Sequence, residues 1–285
     1  MDPFVLLQRV VPQKALTVLV GFFADVKWRP LKSLIIRCFA AKYKVDLSQA
    51  VSESGSDEPA TPAQYASFNE FFTRQLKPDA RPMSDVADSI ASPADGMISQ
   101  VGAIENGRLL QAKGIDYSLA ELLGDKHTAD LFEGGAFATI YLSPRDYHRV
   151  HMPIDGSPES MMYIPGKLFS VNPRTAANVD ALFARNERLV TIFKNGDDPF
   201  ALVMVGAMIV AGIETVLTGR IKRCKQIKEV PFEPRPIGKG EEFGRFHLGS
   251  TAIVVVPKSM KVQWDQNRTP NTPVQVRELL GRSST

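Results

Sequence analysis

In the stretch GRFHLGSTAIVVVP, from Gly244 to Pro257, a Gly-Ser-Thr tripeptide stands at the start of a β-branched run. Gly249 can serve as punctuation there, because glycine lets the backbone bend where a strand begins. The same pair also supports chemistry. The Ser250 hydroxyl adjoins a carbonyl that glycine leaves without steric cover, and attack on that carbonyl would turn an amide into an ester. Such an attack needs a base and local strain.

The chain has four histidines, and two of them, His148 and His151, lie in YLSPRDYHRVHMP. Metal ligation would need a further Cys, His or acid at a recognisable zinc spacing, and none stands at one. A solvated surface pair and an acid–base pair both fit the spacing. Histidine suits the second role because its unperturbed pKa sits near working pH. Asp95, in SPADGMIS, reads equally as a turn aspartate bonding its own backbone or as the member of an Asp-His-Ser set that fixes the imidazole tautomer. The G-x-S-x-G elbow of hydrolases is absent around Ser250.

The elements that must position these residues are legible as patterns. With 285 residues, 44% hydrophobic and 23% charged, the chain has an ordinary globular composition and can bury a sizeable core. A net charge of +3 without a basic block or an aromatic-interleaved basic stripe speaks against nucleic acid as a partner. The charge is uneven, since residues 1–50 hold eight Lys/Arg against three acids. Apolar residues recur there at helical spacing, and prolines at 12 and 30 break the run into amphipathic helices. Their apolar faces either pack on the rest of the chain or, with Phe22, Phe23 and Trp28, enter a lipid boundary beside basic residues. No apolar run reaches the ~20 residues of a membrane span, and nothing resembles a secretory signal. Cys38 and Cys224 form neither a disulfide framework nor a metal knuckle, which fits a reducing compartment.

Residues 51–66, rich in Ser, Pro and acids, read as a linker between this N-terminal region (1–50) and a catalytic domain (67–285). Capping boxes at Ser67/Glu70 and Ser118/Glu121 open two helices. Beyond them the pattern is short and strand-like, with an Asn106-Gly107 hairpin signal, and residues after Gln266 look like a loose polar tail. The expected class is α+β: an antiparallel β-rich core, sandwich- or barrel-like, with amphipathic N-terminal helices.

Taken together, ADG at 94–96, YLSPRDYHRVHMP at 141–153, PGKLFSVN at 165–172, FARNER at 183–188, VGAMIVAGIET at 205–215 and GRFHLGST at 244–251 resemble the bacterial phosphatidylserine decarboxylases. The match covers roughly residues 65–260, in the family's order, and the basic helical N-terminus resembles the family's membrane-associating segment. His247 departs from it, standing where another residue, often basic, is expected. The resemblance implies a self-cleaving proenzyme in which Ser250 attacks Gly249. The chain then splits between 249 and 250 into a large piece (1–249) and a small one (250–285) that begins with a covalent pyruvoyl group made from Ser250. It implies Asp95, His151 and Ser250 as the processing triad and His148 in substrate handling or decarboxylation. Phosphatidylserine would form a Schiff base with the pyruvoyl carbonyl and lose CO2 to give phosphatidylethanolamine, without PLP or metal, because decarboxylating an amino acid requires an electron sink. A homodimer, peripheral on the cytoplasmic side of the cell membrane, fits the family.

Overall fold

The computed structural model describes residues 2–53, 58–208, 212–247 and 249–284. Residues 54–57 of the expected linker, 209–211 of VGAMIVAGIET and Leu248 of GRFHLGST lie outside the described residues. The β-branched run after Gly249 forms the strand Ser250–Val256, and all seven of its residues are buried. A continuous apolar run of this kind suits a strand covered on both faces. It lies between Asp198–Gly206 and Ala136–Leu142, antiparallel to both, with Ser250 opposite Gly206 on one side and Leu142 on the other. The sheet continues through Arg188–Asn195, Ser157–Ile164 and Lys228–Glu229 in one direction, and through Gly96–Ala103 and Pro273–Val274 in the other. These eight strands end in two separate edges, so the sheet does not close into a barrel.

Alternation along the central strand divides the core. Ala252, Val254 and Val256 face a cluster with Val150, Ile213, Phe243 and Phe246. These last four belong to a smaller antiparallel sheet in the order Gly219–Arg220, Gly212–Thr215, Glu242–His247, Arg149–His151. Ile253 and Val255 face the other way, into a cluster with Leu122, Phe132 and Phe183 beneath short helices. The result is the expected α+β class, with one layer of sheet against sheet and one of sheet against helix.

Three N-terminal helices, Pro3–Val10, Gln13–Ala24 and Arg29–Tyr43, fall where the periodicity predicts them. Asp2 caps the first by accepting from the Phe4 N–H at 2.8 Å. Ala24 and Ile36 are buried with Phe68, Phe71 and Phe72 of the helix Phe68–Phe72, so this region packs on the rest of the chain. Lys32 falls off the apolar stripe of Leu31, Leu34, Ile35, Cys38 and Phe39 on a helical wheel, which predicts a solvated charge, yet it is 4% exposed and its Nζ donates to the carbonyls of Ala63 and Tyr65. Outward-facing Leu7, Val10, Val18, Phe22 and Trp28 remain exposed.

Two expectations change. The Asn106-Gly107 turn forms, with φ of 53° and 66°. However, the outgoing strand Arg108–Ala112 pairs with Ile115–Ser118 instead of returning along Gly96–Ala103. The polar tail is also ordered: Leu279–Arg282 pairs with Ser89–Ala91 and Gln263–Trp264, and Val276 and Leu280 are buried.

Because Ile253 has no exposure, Ile253→Ala should cost about 2–5 kcal/mol, the usual range for truncating a buried aliphatic. Thermal unfolding should record a midpoint lowered by roughly 5 °C or more; an unshifted midpoint would contradict the central placement of this strand.

Candidate active site

Backbone pairing connects the reactive residues: Ser250 stands opposite Leu142, and the Phe246 N–H, four residues before Ser250, donates to the His148 carbonyl at 2.9 Å. Gly249 has φ +45°, in the left-handed region that glycine occupies without penalty. A Cβ added there would meet nothing within 4 Å, so the requirement is conformational. Ser250 follows with no exposed surface, and among the described residues its Oγ has no hydrogen-bond partner. A buried hydroxyl normally finds a partner, and Ser250 shares this lack with the neighbouring Thr251 Oγ1.

His148 immediately precedes, and His151 ends, the strand Arg149–His151 of the smaller sheet. A turn precedes it, in which Asp146 Oδ2 accepts from the Ser143 N–H at 2.7 Å. His148 is fully buried, 4.0 Å from the Phe72 ring between centroids. Its Nδ1 lies 2.8 Å from the Asp146 carbonyl, which requires the proton on Nδ1 and leaves Nε2 as an acceptor without a partner. Burial pushes its pKa down to about 3. The ring is therefore neutral at pH 7, with a free lone pair on Nε2.

His151 is 7% exposed, and burial pushes its pKa down as well. Its Nδ1 donates to the Gly240 carbonyl at 2.8 Å, and its Nε2 lies 3.2 Å from the Tyr147 hydroxyl, which donates to it. The backbone brings Asp95 close, since the His151 N–H donates to the Pro93 carbonyl at 2.8 Å. The Asp95 carboxylate nevertheless makes no hydrogen bond to the imidazole. It pairs with the Arg81 guanidinium, whose Nε donates to Oδ1 at 2.9 Å, and it accepts from the Val276 N–H at 2.8 Å. Sequence reasoning gave Asp95 the task of fixing the His151 tautomer; here Gly240 does so, because Arg81 already occupies the carboxylate. Nor does Ser250 Oγ, which has no partner, bond either imidazole. The three members of the expected triad share one region of the fold but are not joined by hydrogen bonds.

Tyr147 stands between two small cavities. One, of about 280 Å³, is lined by His151, Arg149, Glu242 and Arg277; the other, of about 250 Å³, by Asp95, Arg74, Arg145 and Asp146. Arg81 and Tyr147 line both. Burial pushes the Tyr147 hydroxyl up to about 12, so it remains a proton donor. Tyr147 lay in the motif already singled out, four residues before His151. Arg81 and Gly240 had no signal, because only folding brings them to the site. The departing residue, His247, donates from Nε2 to the Glu214 carboxylate Oε2 at 2.8 Å. No cluster of three or more His, Cys, Asp or Glu able to hold a metal occurs among the described residues.

An α+β chain with a serine unpartnered among the described residues at the head of its central strand, and two buried neutral histidines, holds the groups that proton transfer requires. Residues 68–282 match the family model described as phosphatidylserine decarboxylase, and residues 3–44 match a second described as PSD. The chain is 48% identical to the phosphatidylserine decarboxylase proenzyme of Psychrobacter cryohalolentis over the whole of both sequences. Identity to the namesake of Saccharophagus degradans is 49%, covering 100% of this chain and 98% of that one. The Acinetobacter baylyi protein of the same name is 48% identical, covering 99% and 96%. This chain belongs to the phosphatidylserine decarboxylase family.

The depressed histidines make a pH prediction. Above the ordinary value of 6.5 both folded and unfolded chains hold His148 neutral, and it contributes no pH dependence. Below that value the unfolded chain takes up a proton that the folded chain refuses, so stability falls from about pH 6.5 down to about 3. His148→Gln should flatten part of that acid-side slope in denaturant midpoints; a slope unchanged from the parent would contradict the buried neutral ring.

Proposed function

We propose that this chain is a precursor that cuts its own Gly249–Ser250 bond and, once mature, decarboxylates phosphatidylserine to phosphatidylethanolamine and CO2. The observation that carries this reading is the buried, unpartnered Ser250 Oγ next to a left-handed glycine. With no competing hydrogen bond to break, the hydroxyl is free to turn onto the Gly249 carbonyl carbon. Loss of its proton and attack there break the C–N bond, form an ester and free the amine of residue 250. Removal of the α-proton of residue 250 then expels the Gly249 carboxylate from Cβ. Water adds to the resulting enamine in its imine form, ammonia leaves, and a pyruvoyl carbonyl remains at the head of the small chain. The position suits that group, since the hydroxyl it replaces has no partner to lose among the described residues. When formed, it supplies the electron sink that a decarboxylating α-amino acid requires.

We assign the base for cleavage to His151, by resemblance, with Asp95 holding Arg81 and the small chain's Val276 in place beside it. Tyr147 must release Nε2 before His151 can accept a proton. His148 is assigned to proton handling on the substrate, where its unpartnered Nε2 can give or take a proton at Cα. One observation favours a second reading: His148, not His151, has a lone pair already free, so it could serve as the cleavage base too.

A phospholipid keeps its chains in the bilayer, so the site must meet the membrane surface, which we place on the cytoplasmic side. Exposed Leu7, Val10, Val18, Phe22 and Trp28 support this, as does the local excess of positive charge. No single helix among the described residues is long and apolar enough to cross a membrane, and the pair Pro3–Val10 and Ala15–Ala24 meets at 88°. We also read the mature enzyme as a homodimer, on resemblance alone.

Intact mass spectrometry tests the reading directly. The parent should give two chains, the smaller beginning at residue 250 with a blocked terminus, and Ser250→Ala should give one full-length inactive chain. Normal cleavage of Ser250→Ala would end the proposal. His151→Ala should stay uncleaved while His148→Ala matures but loses decarboxylation; the reverse pattern would transfer the base to His148. Asp95→Asn should slow maturation. Phe22→Ser with Trp28→Ser should weaken co-sedimentation with vesicles while cleavage continues.

A further inference from the structure

PGKLFSVN and FARNER carry no role in the chemistry above, yet the fold binds them to each other. The Lys167 N–H donates to the Arg185 carbonyl at 2.8 Å, and the Glu187 N–H returns to the Lys167 carbonyl at 2.9 Å. Gly166 makes this approach possible, since a Cβ there would lie 2.4 Å from the Asn186 carbonyl carbon and 2.5 Å from the Arg185 oxygen. Two cationic residues are thus fixed side by side. The elbow between the first two helices is clamped over the same loop: Gln8 Oε1 accepts from the Ser170 N–H at 2.8 Å, and Gln13 Oε1 from the Leu168 N–H at 2.9 Å. The clamp brings in Arg9 from the last turn of the first helix.

Arg9, Lys167 and Arg185 line one cavity of about 650 Å³ with Val11, Pro12 and Phe169. No acidic residue lines it, and among the described residues none of the three cations has an ion pair. The Arg185 guanidinium lies 5.7 Å from the centroid of the Phe169 ring, which holds it at the wall. Three like charges converging without an anion repel one another, and a bound anion would relieve that repulsion. The volume falls in the range of a small-molecule site. On the helices that form its rim, Leu6, Leu7, Val10 and Val18 are exposed apolar side chains.

We propose that this cavity binds the phosphodiester of an anionic phospholipid headgroup, with the acyl chains leaving along the exposed apolar faces of the first two helices. The chemistry recognised is a phosphate anion, and the apolar rim makes a lipid its source. The proposal rests on the reading that these helices meet the bilayer, and it adds a defined site, two-thirds of whose charge comes from the β-rich domain.

The test uses dihexanoyl phosphatidylglycerol, which is not the substrate, with calorimetry on the purified full-length protein. It also uses vesicles of phosphatidylcholine with and without phosphatidylglycerol. Each cation near an anionic surface is worth about fivefold in affinity, so Lys167→Gln with Arg185→Gln should bind the short-chain lipid about thirtyfold more weakly. Attachment to pure phosphatidylcholine should not change. Lys167→Arg should retain binding, which separates charge from folding. Lys194→Gln with Lys258→Gln removes as much charge elsewhere and should bind like the parent. Equal binding by the Lys167/Arg185 variant would overturn the site while leaving membrane attachment standing, as would an equal loss in the Lys194/Lys258 variant. Inorganic phosphate binding as tightly as the lipid would assign the site to free phosphate. A parent that ignores both vesicles and short-chain lipid would overturn the site and the membrane reading together.

Discussion

The structure depends on the burial of one strand. Ser250–Val256 is paired along its whole length on one side and nearly so on the other, and both its faces are covered by apolar clusters. Each buried aliphatic contributes on the order of 2 kcal/mol, and its backbone groups have no alternative partners in so dry a place. The register is thereby fixed, because a slip of one residue would exchange the two faces. Ser250 is the first residue of that register. Its position is consequently set by the whole sheet, while Gly249 lies just outside the ladder and carries the turn.

Desolvation governs the electrostatics of the site. His151 has Glu242 near enough to favour its charged form, yet burial outweighs it and the ring stays neutral. For His148 a backbone carbonyl at 2.8 Å is outweighed in the same way. A charge pair kept at low exposure, Arg81 with Asp95, is held by direct hydrogen bonds and by the Val276 N–H. Breaking such a pair leaves an uncompensated buried charge, which usually costs more than the pair was worth. Asp95 is thus as much a clamp on the C-terminal segment as a candidate participant in proton transfer.

The legibility of the chain followed the range of its interactions. The central strand was readable because a β-branched run signals itself, and the capping serines at 67 and 118 accept from Glu70 and Glu121 as their spacing predicts. The Asn106-Gly107 turn was readable but its pairing was not, since which strand lies alongside is decided by tertiary packing. Lys32 misled for a similar reason: its ammonium is satisfied by two carbonyls from a segment thirty residues away. The tail looked loose because its few buried residues, Val274, Val276 and Leu280, are spaced among polar ones and its order comes from backbone pairing. At the site, residue types were legible and partners were not. Arg81, Gly240 and Val276 reach Asp95 and His151 from three distant parts of the sequence.

Cutting such a chain before Ser250 has an unusual consequence. The small piece would lose one covalent bond and the residue-250 N–H, and residues 251–256 would keep their ladder bonds to Asp198–Gly206 and Ala136–Leu142. Its later residues would still be held by Ser89–Ala91 and by the Asp95 carboxylate. Separation would expose seven buried residues of a central strand and two unpaired strand edges, a cost far beyond the translational freedom gained. A cut would be tolerable in this place because the strand behind it is paired on both sides and buried on both faces. A group created at its head would inherit a fixed position, the preorganisation that catalysis requires. The same pairing leaves Gly249, just outside the ladder, as the residue that a cut before Ser250 would free.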